Sequence, residues 1–91
     1  MMIKWSNEAS DDLVRLHYFL AGKSQTAADD AIRRIINGSL ALENYARRGQ
    51  IVEKYLPREV RRLLVADYEL RYEIHEDAVY VVSVFHMREE R

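Results

Sequence analysis

Apolar side chains near the start of the chain recur every three or four residues, the spacing of one face of an α-helix. Gly22 ends this pattern, and Ser6 or Asn7 can cap the helix by accepting its free N–H groups. The pattern predicts a first helix over residues 7–21, preceded by a short strand around residues 3–5. The positions that form its apolar face are Ala9, Leu13, Leu16 and Leu20.

A second apolar face with the same spacing follows. Ser24 is its candidate N-cap and Gly49 closes it, so a long second helix is predicted over residues 25–46. Only Gly22 and Lys23 separate the two helices, and a connection this short places them side by side in an antiparallel hairpin. The second face comprises Ala28, Ala31, Ile32, Ile35, Ile36, Ser39 and Leu42.

Beyond Gly49 the hydrophobic period changes from helical spacing to two. The alternation over residues 68–74 predicts a strand with one buried and one solvent-exposed face, with Tyr68 and Tyr72 in the core. Residues 79–85 are rich in β-branched and aromatic side chains at both odd and even positions, so both faces of this strand are apolar. This pattern indicates a central strand. Residues 61–65 form a further strand that turns at Ala66-Asp67.

The predicted element order is β-α-α-β-β-β. This order is typical of an α+β fold in which a helical hairpin packs on a small antiparallel sheet. The 91 residues fit one small domain over residues 1–91, and 48% hydrophobic with 32% charged residues favours a packed core over disorder.

Several kinds of site chemistry are absent from the sequence. There is no cysteine, which excludes disulfides, thiolate zinc sites and cysteine nucleophiles. The three histidines lie far apart and no glycine-rich phosphate loop occurs, so we expect no metal, no cofactor and no small-molecule substrate. Ser24 and Ser39 are interpreted as a helix cap and a packing residue. No run of about 18 apolar residues suggests a membrane helix, and we expect a cytoplasmic protein.

The formal net charge is −1, but its distribution is uneven. Residues 63–91 carry seven acidic and three basic side chains, whereas residues 44–62 carry six basic and two acidic ones. The basic segment either meets phosphates or an acidic protein, or is a solvated surface. Arg61 and Arg62 are neighbours in a strand, so they point to opposite faces. The six cations are Arg47, Arg48, Lys54, Arg58, Arg61 and Arg62.

Large aromatic side chains also fall outside the apolar face of the first helix. Tyr18 and Phe19 either form an interaction patch, or Phe19 packs on the second helix with Tyr18 half exposed. At the end of the last strand, His86 and Arg88 are the remaining polar candidates. His86 is either a satisfied strand-end histidine or a functional one.

Three motifs and the long second helix, taken in order, span nearly the whole chain. The motifs are Ile3-Lys4-Trp5-Ser6-x-x-Ala9-x-x-Asp12-Leu13, then Arg61-Arg62-Leu63-x-Val65-x-x-Tyr68-x-Leu70-x-Tyr72, and finally Val82-x-Val84-x-His86-x-Arg88. In their order and spacing they resemble the RelE/ParE toxin superfamily of bacterial toxin–antitoxin systems. The resemblance implies a β-α-α-β-β-β fold, a cytoplasmic location and an antitoxin partner.

The residues discriminate between the two main activities of that superfamily. RelE-like members cleave mRNA in the ribosome with basic residues on the sheet, one of them directly after the tyrosine that opens the third strand. Here Glu69 follows Tyr68, only Arg62 matches that basic set, and just Glu89-Glu90-Arg91 follow Arg88.

The ending His86-Met87-Arg88 resembles ParE-like members, which poison DNA gyrase and are inhibitors rather than enzymes. This resemblance implies no catalytic residue. A RelE-like ribosome-dependent mRNA endoribonuclease is the alternative, and an inert interaction domain is a third hypothesis. Many ParE-like members carry a proline near the end of the second helix, where this chain has Tyr45-Ala46, so we expect a longer helix here.

Two sets of binding residues follow from the residues and the resemblance together. The partners implied are a cognate ParD-like antitoxin and DNA gyrase with its DNA. For gyrase we predict Arg61, Arg62, His86 and Arg88, because arginine forks suit phosphates and carboxylates. For the antitoxin we predict Tyr18, Phe19, Arg47, Arg48, Lys54 and Arg58.

Overall fold

The computed structural model describes residues 1–89, so Glu90 and Arg91 of the acidic end lie outside it. The two helices and five strands follow the predicted order, with one short strand added after the second helix. Short 3-10 turns occupy Ala41–Glu43 and Glu53–Tyr55. The elements are β1 (Met2–Trp5), α1 (Asn7–Ala21), α2 (Gln25–Leu40), β2 (Gln50–Ile51), β3 (Glu59–Val65), β4 (Tyr68–His75) and β5 (Ala78–His86).

Side-chain caps set the starts of both helices. The Ser6 hydroxyl accepts a hydrogen bond from the Ala9 amide at 3.0 Å, and Ser24 accepts one from Ala27 at 3.2 Å. The span of α1 is the predicted one. The prediction that α2 continues to residue 46 was wrong, because the helix ends at Leu40 and tightens into the 3-10 turn.

The five strands form one sheet in the order β1-β5-β4-β3-β2. β5 pairs on both sides, which confirms the predicted central strand. The prediction of a purely antiparallel sheet was wrong, because β1 runs parallel to β5 while the other pairs are antiparallel. Both helices and strands β2, β3 and β4 lie between β1 and β5 along the chain, and so long a connection permits parallel pairing where a hairpin does not.

The helical hairpin packs on one face of this sheet, and the opposite face is called the open face here. Leu16 of α1, Ile35 of α2 and the inward residues of β4 and β5 form the core between helices and sheet. Tyr68 and Tyr72 are both buried there, as predicted. Ser39 is buried as well, and its hydroxyl donates to the Ile36 carbonyl at 2.7 Å.

The phenol of Tyr72 ties the chain after α2 to the sheet. It donates a hydrogen bond to the Ala46 carbonyl at 2.7 Å and accepts one from the Gly49 amide at 2.9 Å. Gly49 is required there, since a Cβ would lie 2.7 Å from the Arg62 carbonyl oxygen. Residues 44–49, called the Tyr72-held loop below, lie between the 3-10 turn and β2 and are held against the sheet by these two hydrogen bonds.

We predict that Tyr72→Phe lowers the free energy of unfolding markedly. The change leaves the Ala46 carbonyl and the Gly49 amide without their partner, and each such buried group costs about 1–3 kcal/mol. Urea denaturation measures the loss. Tyr80→Phe is the matched control, because the Tyr80 phenol has no hydrogen bond to another residue of the described chain, and equal stability of the two variants would contradict the prediction.

Candidate functional site

The residues predicted to bind a target do not share one surface. Arg61 lies opposite Tyr72 in the β3–β4 pairing and so faces the helices, whereas Arg62 lies opposite Arg71 on the open face. His86 and Arg88 lie at the end of β5. The predicted antitoxin residues are divided too, because Phe19 is beside His86 while Arg47 is near the other end of β3.

A pocket of about 660 Å³ opens where α1 and β5 end, and it is called the β5-end pocket here. Phe19 forms one wall; its side chain is 62% exposed, so the alternative in which it packs away on α2 is wrong. Tyr18 is 75% exposed and lies outside the pocket. The lining residues are Arg15, Leu16, Phe19, Leu20, Lys23, Tyr68, His86, Arg88 and Glu89.

His86 is held firmly within this pocket. Its ring meets the Tyr68 ring edge-on with centroids 5.4 Å apart, and its Nδ1 accepts the Arg88 amide at 3.1 Å. The His86 amide donates to the Glu89 carboxylate at 3.1 Å. Burial raises the pKa of the Tyr68 phenol, with further contributions from Asp67 and Glu89. Tyr68 therefore stays protonated and is no general base near neutral pH.

The charges around the pocket are mainly positive. Lys23 lies over the Phe19 ring at 4.9 Å from its centroid, and Arg15 pairs with Glu89 at 3.2 Å. Arg88 is exposed and makes no ion pair with another residue between 1 and 89. An apolar wall beside three cations and one carboxylate suits an apolar side chain flanked by anionic groups.

Sequence reasoning missed Arg15 and Lys23. A signal for them existed, because Arg15, Phe19 and Lys23 follow one another at intervals of four residues, and residues four apart are neighbours on a helix surface. Phe19 was predicted as an antitoxin contact for its aromatic ring alone, and the cations four residues before and after it were not connected with it.

On the open face, Glu69 is buried. The alternation of the sequence had predicted a solvent-exposed side chain at this position, which was wrong. The Glu69 carboxylate accepts from Arg71 at 2.7 Å and lies 3.2 Å from an Arg62 nitrogen. The Arg71 guanidinium also covers the Phe85 ring at 5.2 Å. Two arginines directly opposite each other repel, and Glu69 relieves this by bridging them. The guanidinium groups of Arg62 and Arg71 are therefore already paired with Glu69 and are not free to bind a phosphate.

Arg61 serves the Tyr72-held loop. It donates to the Gly49 carbonyl at 2.7 Å and to the Glu59 carboxylate at 2.8 Å, and its side chain is only 19% exposed. Arg47 binds the same carboxylate at 2.9 Å. Glu59 therefore links strand and loop, and Arg61 contributes little accessible charge.

The remaining predicted cations differ in how far they are engaged. Arg58 makes two hydrogen bonds to Glu73, at 2.6 and 3.2 Å. Lys54 lies over the Tyr55 ring at 5.1 Å from its centroid. Arg48 is exposed and has no ion-pair partner within the described residues.

Within residues 1–89, no three histidine or acidic side chains are grouped so that they could hold a metal ion. The helices there lack the length and apolar character needed to cross a membrane.

We predict that Glu69→Ala destabilises the fold by about 2 kcal/mol, less than the loss of a fully buried ion-pair partner because both arginines keep partial access to water. The reason is the uncompensated repulsion between Arg62 and Arg71. Arg62→Ala should cost less, since Arg71 still satisfies Glu69. Chemical denaturation of the three proteins measures the order, and a larger loss for Arg62→Ala would contradict it.

The pH dependence of stability should reveal the contribution of Glu59, the carboxylate that links β3 to the Tyr72-held loop. The hydrogen bond from Arg47 holds the pKa of Glu59 below its ordinary value of 4.5, partial burial opposes this, and Arg61 adds to it. A carboxyl whose pKa is depressed by folding stabilises the protein above that value and loses this contribution as the pH falls through its folded pKa.

Unfolding free energy should therefore decrease below about pH 4.5, and Glu59→Gln should reduce that decrease. Glu53→Gln is the control, because Glu53 is exposed and has no ion pair in the described chain. Identical pH profiles for the protein and Glu59→Gln would contradict the assignment.

Comparison with known proteins finds no curated protein that matches the chain in sequence. A solved chain described as "Chromosomal ParDE TA system from P. aeruginosa" shares the fold with a TM-score of 0.77, at 18% identity, over 94% of this chain and 95% of that chain. The family model for the ParE toxin of the type II toxin–antitoxin system, parDE, matches residues 3–91. The chain therefore belongs to the ParE toxin family of type II toxin–antitoxin systems.

Proposed function

We propose that this ParE-family toxin acts in the cytoplasm by inhibiting DNA gyrase, and that a ParD-like antitoxin neutralises it. The observation that supports this most directly is the β5-end pocket, where Arg88 and Phe19 remain exposed beside Lys23 and Arg15. Exposed arginine and aromatic side chains are the residue types that contribute most to binding between proteins.

The geometry favours an inhibitor over an enzyme. Cleavage of RNA by its 2′-hydroxyl needs a base, an acid and free cations for the phosphate on one surface. Glu69 occupies Arg62 and Arg71, and the Tyr68 phenol is protonated. His86 Nδ1 already accepts the Arg88 amide. These contacts occupy the cations of the open face and one ring nitrogen of His86, and they argue against the RelE-like endoribonuclease.

The exposed Phe19 supports the antitoxin part of the proposal. A disordered acidic segment can fold onto the toxin and place an apolar side chain against Phe19, with carboxylates near Lys23 and Arg15. Such a segment would also cover His86 and Arg88. Gyrase contact by Arg88 and antitoxin contact by Phe19 are then mutually exclusive, which gives neutralisation a physical basis.

We predict that the purified toxin inhibits supercoiling by gyrase and causes cleaved DNA to accumulate. Arg88→Ala should raise the toxin concentration needed for half inhibition by about tenfold or more, the effect of losing one important interface residue. Arg33→Ala is the control, since Arg33 lies on α2 and pairs with Asp30 at 2.9 Å.

Two results would contradict the proposal. One is unaffected gyrase at toxin concentrations that stop growth of expressing cells. The other is ribosome-dependent mRNA cleavage that disappears on Arg62→Ala, which would favour the endoribonuclease.

A further inference from the structure

The carboxylate of Glu89 fills an oxyanion position within the β5-end pocket. One of its oxygens accepts from an Arg15 guanidinium nitrogen at 3.2 Å and from the His86 backbone amide at 3.1 Å. The turn after β5 places the carboxylate there, because the Glu89 amide donates to the His86 carbonyl at 2.9 Å. A guanidinium and a backbone amide that meet at one oxygen form a binding position for an anionic group.

Arg15 has a second contact, which holds it beside β5 when Glu89 moves away. Asp12 lies three residues earlier on α1, and one of its oxygens is 3.7 Å from the Arg15 guanidinium. The other Asp12 oxygen accepts the Val84 amide of β5 at 2.9 Å, which fixes the Asp12 side chain. The donors of the oxyanion position therefore belong to α1 and β5, whereas Glu89 lies on the turn beyond them.

The pocket has room for a ligand beside Glu89. Its volume of about 660 Å³ lies within the range of about 300–1,000 Å³ that is typical of small-molecule sites. Lys23 and Arg88 line it, and neither forms an ion pair with a carboxylate within residues 1–89. The exposed ring of Phe19 forms an apolar wall. Positive charge and an accessible aromatic ring thus lie side by side.

Charge favours a phosphate over a carboxylate as the ligand. Glu89 already supplies a carboxylate at a high effective concentration, so an external carboxylate would replace it with no gain in charge or in acceptors. A phosphate monoester carries about −1.5 to −2 charges and three acceptor oxygens. It offers one acceptor to each of the three cations that line the pocket, Arg15, Lys23 and Arg88.

We propose that the β5-end pocket binds the phosphate monoester of a nucleotide, with the base against the Phe19 ring, and that Glu89 is a built-in competitor for the phosphate position. Stacking on an aromatic ring tolerates every base, so the phosphate contributes more to selectivity than the base. A free mononucleotide and the 5′ end of a nucleic-acid strand both carry this group. The proposal does not depend on the proposed action on gyrase, because it rests on contacts within the pocket.

The test measures ligand binding by two-dimensional NMR in the absence of gyrase. Adenosine 5′-monophosphate should shift the amides of His86 and Glu89 saturably at millimolar concentration, and adenosine should bind at least about tenfold more weakly. A five-nucleotide DNA strand with a 5′-phosphate separates the two sources of this group. Tighter binding of the strand than of the mononucleotide would assign the pocket to strand ends, and the reverse order would assign it to free nucleotides.

Two variants with opposite expected effects test the role of Glu89. Glu89→Gln keeps the size of the side chain and removes the competing charge, so it should tighten binding of adenosine 5′-monophosphate about tenfold. Glu53→Gln, the same charge change at an exposed residue, should alter it less than about twofold. Arg15→Gln should weaken binding about tenfold, and Arg33→Gln on α2 is its matched control. Unchanged β4 amide shifts check that each variant is folded.

Four results would overturn the proposal. They are no binding at about 10 mM adenosine 5′-monophosphate, equal binding of adenosine, equal affinities of Glu89→Gln and Glu53→Gln, and tighter binding of N-acetylglutamate than of the nucleotide. The last result would identify the pocket as a carboxylate site. Inhibition of gyrase is measured separately, so failure of this proposal is distinguishable from failure of the proposed function.

Discussion

The hydroxyl of Tyr72 lies inside the protein and joins parts of the chain that are 26 and 23 residues away from it. A buried phenol needs partners, and the backbone of the Tyr72-held loop supplies both. These two hydrogen bonds fix the loop backbone against the sheet at Ala46 and Gly49, directly before β2 begins. Arg61 and Glu59 then form a polar shell around the same loop.

The sheet separates two exposed surfaces from each other. Exposed Phe19 and Arg88 lie at the β5-end pocket, and exposed Tyr45 and Arg48 lie on the Tyr72-held loop. An extended segment of about seven residues is needed to span the 20 Å or so of β4 between them. One compact side-chain cluster of a partner therefore reaches one surface, while a long segment can reach both.

Local patterns in the sequence were enough to predict α1, the strand alternation and the burial of Tyr68 and Tyr72, because each depends on neighbours along the chain. The end of α2 could not be predicted this way, since Leu42 keeps the apolar spacing and is buried although it lies in the 3-10 turn beyond the helix. The parallel pairing of β1 with β5 joins the two ends of the chain, which no local pattern reveals, and β2 is too short to show a period.

The site was harder to predict than the fold. Alternation marked Glu69 as exposed, but its burial follows from two arginines on separate strands that meet only after the sheet forms. Arg61 was predicted as a target contact because of its charge, yet the folded loop uses it internally. The family resemblance depends on the order and spacing of whole motifs, and the roles of single side chains such as Glu69 and Arg61 do not affect that order.

Native-state hydrogen exchange of the Gly49 amide tests most directly whether Tyr72 holds this loop as part of the core. If it does, the Gly49 amide exchanges only when the whole protein unfolds, with an opening free energy equal to that of the β4 amides. Exchange of Gly49 as fast as that of exposed turn amides such as Glu76 would show a loop that opens on its own, and would contradict the account.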